Sequence, residues 1–182
     1  MSILKKSFPI SILFFCCFTL TAFAQTKSHT IVYSEEGFTI DGVVINSGKT
    51  VKQVERILGV EGRKQKFAGN AYAHVYDELG ITLFSNNKKI ESLTINLVTG
   101  LEEGAPDKAY TGTFKINDVT ISKTTTRENI YALKNIDMHC PGTSFCEIQM
   151  YRNPATAMIG FTKEGTVSVI NFIFTHIHAS HK

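Results

Sequence analysis

Phe38-Thr-Ile-Asp-Gly-Val-Val-Ile45 can be set above Phe114-Lys-Ile-Asn-Asp-Val-Thr-Ile121 without a gap. Phe, Ile, Val and Ile fall at the same four positions. The tips are Asp41-Gly42 and Asn117-Asp118, residue types that tolerate the left-handed backbone of a tight turn. Each stretch therefore reads as a short β-hairpin. The overlay continues downstream. Thr50-Val-Lys-Gln53 fits a capping box, Val54, Ile57 and Leu58 form an apolar stripe at helical spacing, and Gly59 is a stop. At the same offset Thr126 falls under Thr50, Ile130 under Val54 and Leu133 under Ile57. There the capping box reads one position earlier, as Thr125 and Glu128.

Three strand signals follow in each stretch. The first has 72–76, 81–84 and 90–97; the second has 147–151, 158–161 and 167–175. Turn residues separate them, as at Ser85-Asn86-Asn87 and Lys163-Glu164-Gly165. The reading is an α+β fold of two tandem repeats. Each repeat is a hairpin, a helix and three antiparallel strands, with the helices packed on one face of an antiparallel sheet. The predicted organisation is 1–24 signal peptide, 25–36 N-terminal arm, 37–98 first repeat, 99–112 linker, 113–177 second repeat and 178–182 tail.

Period-2 alternation assigns faces. Ala71, Ala73, Val75, Leu93, Ile95 and Leu97 are placed under the helices, and so are Ile148, Met150, Ile170, Phe172 and Phe174. The alternate set is predicted to face outward on an uncovered sheet. It includes Tyr72, His74, Tyr76, Tyr151, Asn171 and Ile173, the composition of a binding surface. The alternative is that the N-terminal arm or a loop covers this face.

Outside the repeats, Lys5 and Lys6, the apolar stretch Phe8 to Thr21 and Ala22-Phe23-Ala24 make the three parts of a secretory signal peptide. The run is short for a bilayer span, and no other long apolar run exists, so no membrane span is expected after cleavage. Phe14 and Phe15 precede Cys16 where a lipobox wants small residues. The expected location is the periplasm or the outside of a bacterial envelope. The 182 residues are 43% hydrophobic and 19% charged, with a formal charge of +3. This excludes a disordered chain. No Lys/Arg cluster exists to neutralise phosphates, so no nucleic-acid partner is expected.

Cys140 and Cys146 survive signal cleavage. An isolated even pair in an exported chain reads as a disulfide, and so short a loop gives roughly 2–2.5 kcal/mol in the chain-entropy model. The sequence carries no G-x-S-x-G, H-E-x-x-H, G-x-G-x-x-G or P-loop motif. A His139-Cys140 nucleophile would lack a visible base and orienting group. No enzyme activity and no cofactor are expected. His176 and His178, with His181, form a metal candidate at the C-terminus. On a strand the first two would share a face about 7 Å apart.

Gly48-Lys-Thr-Val-Lys-Gln-Val-Glu-Arg-Ile-Leu-Gly59, then His74-Val-Tyr-Asp-Glu-Leu-Gly-Ile81, then Lys89-Ile-Glu-Ser-Leu-Thr-Ile-Asn96 resembles one repeat of the beta-lactamase inhibitory protein superfamily. A small outer-membrane lipoprotein of the barrel-assembly machinery shares that unit. The resemblance spans about Gly37 to Thr175. It implies helices on one face of a sheet and a protein partner bound on the exposed concave face. The second stretch departs from it, with Lys134-Asn135 in place of Leu-Gly and no Tyr-Asp. The functional expectation is an exported, non-enzymatic protein-binding module, inhibitor-like or of an immunity type. The alternatives are a structural or assembly factor of the envelope and a small metal-binding protein.

Overall fold

A computed structural model describes residues 27–67 and 69–174. Alternation extends further upstream than the hairpins. Thr30-Ile-Val-Tyr-Ser34 places Ile31 and Tyr33 on one side and Val32 and Ser34 on the other, and it forms β1 (Thr30–Ser34). The chain continues through β2 (Gly37–Ile40), β3 (Val43–Ile45), α1 (Val51–Leu58), β4 (Arg63–Lys66), β5 (Ala71–Tyr76), β6 (Ile81–Asn86) and β7 (Lys89–Asn96). Then come β8 (Thr113–Ile116), β9 (Val119–Ile121), α2 (Arg127–Tyr131), β10 (Asp137–His139), β11 (Phe145–Gln149), β12 (Ala155–Phe161) and β13 (Val167–Phe174).

Among the described residues the strands form two sheets. One has five strands in the order β3-β2-β1-β8-β9, and the other has eight in the order β10-β11-β12-β13-β7-β6-β5-β4. All pairs are antiparallel except β1 with β8, where Ile31 stands opposite Phe114 in parallel register. The inner faces meet around Phe172. Its ring lies 4.5 Å from Phe38, 5.4 Å from Tyr33 and 5.6 Å from Phe114, centroid to centroid. The Tyr33 hydroxyl donates to the Ala155 carbonyl at 2.7 Å and accepts from the Met150 N–H at 3.3 Å. One buried tyrosine thus fixes the spacing of the layers at two backbone groups.

This overturns the expected α+β architecture. The protein is mostly β, and what covers the inner face of the larger sheet is a second sheet, not helices. The reason is one of dimensions. Eight strands span roughly 34 Å across the hydrogen-bonding direction. The eight residues of α1 reach about 12 Å, and α2 has only five. The helices instead add a few side chains to the core, α1 with Val51, Val54 and Leu58, α2 with Ile130. The segment expected as an N-terminal arm holds β1, the middle strand of the smaller sheet. It therefore lies against the inner side of the larger sheet and cannot cover the outer side.

The linker after β7 crosses the outer side of the larger sheet and returns to the core at Tyr110. That return is tight. Gly80 sits at φ +69°, and a Cβ there would lie 2.6 Å from the Ala109 carbonyl carbon, so only glycine admits the approach. Tyr110 N–H then donates to the Asn96 carbonyl at 2.7 Å.

Candidate functional site

Cross-strand register decides which residues share the outer face. Met158 stands opposite Glu147 and Asn171, Asn171 opposite Thr94, Thr94 opposite Thr82, and Thr82 opposite Val75. The next row is Gln149, Thr156, Ile173, Ser92, Phe84 and Ala73. Phe145 and Val169 flank Gly160 in the row on the other side. Diagonal neighbours on a sheet are within reach of long side chains, so Phe145, Met158 and Ile173 make an apolar stripe across three strands. Phe145 is 37% exposed and Ile173 40%.

Two of the residues predicted for this face, Asn171 and Ile173, are on it. Tyr72, His74 and Tyr76 are not, which corrects their assignment. Tyr76 stands opposite Ile81, itself opposite Ile95, and His74 stands opposite Leu83, itself opposite Leu93. All three side chains of β5 thus point to the inner side. Tyr76 is 2% exposed and His74 8%. Ala73 and Val75, expected beneath a helix, point outward. Their small size does admit a close neighbour, and that neighbour is the linker. Tyr151 is 95% exposed but lies in the turn after β11, off the sheet face.

The chemistry of the inward residues is structural. His74 Nε2 is 3.1 Å from Ser85 Oγ, and burial holds its pKa below the ordinary histidine value. The Tyr76 hydroxyl is buried without a partner, and burial raises its pKa above the usual phenol value. Gly62 makes room for its ring, since a Cβ there would lie 3.0 Å from Tyr76 Cε1. Tyr72 carries Lys64 Nζ 3.8 Å above its ring. Cys140 and Cys146 are disulfide-bonded, so neither is a free nucleophile. Among the described residues no group of three or more His, Cys, Asp or Glu could hold a metal ion. His176, His178 and His181 lie outside the described residues.

Sequence reading missed Phe145 and the linker's part in the site. Phe145, Glu147 and Gln149 keep the alternation of β11, so extending that strand two residues upstream would have found the first. No local signal marks Phe67, whose ring packs 5.7 Å from Phe84 from a loop. Residues 101–105 stand over the sheet beside these two rings and enclose a groove of about 460 Å³. A larger groove, about 1270 Å³, lies at the end of the sandwich between the turn at Glu35-Glu36, Asn117-Asp118 and Tyr151-Arg152. No described helix is long and apolar enough to cross a membrane.

A family model described as a domain of unknown function matches residues 30–131, from β1 to α2. No curated protein matches the chain. Among the solved structures similar to it are two secreted or extracellular proteins. One is a cysteine-rich secretory protein from Staphylococcus aureus subsp. aureus Mu50, at 10% identity and a TM-score of 0.44, over 70% of this chain and 42% of that one. The other is an extracellular protein containing an SCP domain from Bacillus anthracis str. Ames, at 12% identity and a TM-score of 0.44, over 72% and 47%. The chain spans less than half the length of either.

Proposed function

The chain belongs to the DUF7738 family of domains of unknown function, and we propose that it is an exported, non-enzymatic protein-binding module of the bacterial envelope, inhibitor-like in its action. The observation that carries this reading is the stripe Phe145, Met158 and Ile173. A folded chain with a well-filled interior still leaves adjoining large apolar side chains on an open sheet face, rimmed by Glu147, Gln149 and Thr156. Apolar centres with polar rims are the usual anatomy of a protein contact. The signal-peptide pattern and the Cys140–Cys146 disulfide support export.

The test is a pull-down from an envelope extract of the source organism with immobilised mature protein. The expected result is one stoichiometric protein partner, with binding weakened about 30-fold or more by Ile173→Asp at an unchanged melting temperature. A partner retained equally by Ile173→Asp and Phe145→Ser, or no partner at all, would overturn the proposal. Capture of a whole outer-membrane complex would favour an assembly factor instead.

A further inference from the structure

We infer that the groove between residues 101–105 and the outer face of the larger sheet binds a neutral saccharide. Its floor is the stretch where β6, β7 and β13 adjoin. Thr82, Thr94, Asn96 and Asn171 line it, and none of them carries a charge. Thr82 and Asn96 are each only 6% exposed. The Thr94 hydroxyl donates to Asn171 Oδ1 at 3.2 Å, which leaves the Asn171 NH₂ to donate to a ligand. One end of the groove is aromatic, with Phe84 lining it and the Phe67 ring against it. Hydroxyl and carboxamide groups on one surface and an aromatic wall on another match the two sides of a pyranose. Its hydroxyls both donate and accept, and its C–H face packs on an aromatic ring.

Charge narrows the class further. The charged side chains at this groove are Glu102 and Glu103, both on the linker and both exposed. Carboxylates there accept from sugar hydroxyls and repel sulfated or phosphorylated ligands. The volume, about 460 Å³, lies within the range of small-ligand sites. The site is a joint product of sheet and linker. Gly104 lies close over Gln65, where a Cβ would come within 3.0 Å of Oε1. The residues that close the groove thus lie close against edge strand β4.

This site is distinct from the stripe proposed for a protein partner, and separate variants test the two. Mature protein carrying ¹⁵N would be titrated with cellotetraose, chitotetraose, maltotetraose and a sulfated heparin tetrasaccharide, following amide shifts. The expected result is binding of at least one neutral tetrasaccharide with a Kd of about 1 mM or tighter, with shifts concentrated on β6, β7 and residues 101–105. Thr94→Val removes the hydroxyl at nearly constant volume, and Asn171→Ala removes the donor. Each should weaken that binding about fivefold or more in a protein whose remaining spectrum is unchanged. Ile173→Asp should leave it intact. The inference is overturned if no neutral probe binds at about 10 mM. It is equally overturned if the heparin fragment binds as tightly, or if both groove variants bind like the wild type.

Discussion

His29 is 1% exposed, yet both of its ring nitrogens face acceptors. Nδ1 is 2.9 Å from Asp41 Oδ2 and Nε2 is 3.1 Å from the Leu58 carbonyl. The Asp41 carboxylate at this ring is heavily engaged. Burial alone would raise the Asp41 pKa, but hydrogen bonds from Lys27, the Thr30 N–H and His29 outweigh that and lower it to about 2. A depressed carboxylate contributes stability that is fully present above its ordinary pKa near 4 and disappears as pH falls through its folded value. The window is therefore pH ~4 down to ~2. The side chain is 25% exposed, so solvent screening limits the effect to about 1 kcal/mol. Urea unfolding of wild type and Asp41→Asn should differ by about that amount at pH 6 and converge toward pH 2. A difference independent of pH would show that the network contributes nothing through charge. None of this could be read locally. Asp41 looks like a turn residue in the sequence, and only the pairing of β1 with β2 brings its carboxylate against His29.

The two helix starts show what local chemistry does and does not specify. α1 has the expected capping box, with Thr50 accepting from Gln53 N–H and Gly59 ending it at φ +71°. α2 was expected to start from Thr125 and Glu128, but its box is Thr126 and Asn129. Glu128 is a better side chain for the motif than Asn129. The isolated bridge Thr126 to Thr166, matching Thr50 to Lys89, fixes the backbone one residue later and overrides that preference. Thr126→Ala should therefore cost about 1 kcal/mol of stability, and lower the urea midpoint more than Glu128→Gln, which removes only an exposed charge from the first turn. The reverse outcome would restore the earlier start. Strands follow the same logic. Those with one apolar face were legible from alternation alone. β5 was inverted because Ala-Ala-Val and Tyr-His-Tyr are both admissible inner sets, and only its register with β6 decides between them. β4, Arg63-Lys-Gln-Lys66, has no apolar residue to signal it. Its lysines are what an edge strand carries to resist pairing with another chain.

The layered architecture was the least legible feature, and the reason lies in sequence distance. Residues 38–45 and 114–121 were correctly read as hairpins, and Asp41, Gly42 and Asn117 do take positive φ at their tips. Nothing local says that the two hairpins leave their neighbours and join through a parallel pairing of β1 with β8. That pairing is what turns one covered sheet into a sandwich, and it makes a prediction the helix-covered arrangement does not. Phe38 on the smaller sheet and Phe172 on the larger stack at 4.5 Å and are 1% and 0% exposed. Truncating either to Ala should cost about 3–5 kcal/mol. That alone is weak evidence, because either ring would be buried in both arrangements. The discriminating quantity is their coupling. In a cycle of Phe38→Leu, Phe172→Leu and the double variant, each substitution keeps most of the apolar volume and removes the ring. Rings that pack on each other give a coupling of about 0.5–1.5 kcal/mol, whereas sites without shared contacts add within about 0.5 kcal/mol. Phe174, also 5.4 Å from Phe38, shares part of that contact, so a cycle with Phe174→Leu should return a smaller coupling. Additivity in both cycles would mean that the smaller sheet does not lie across β13 and that the outer face has been assigned to the wrong side.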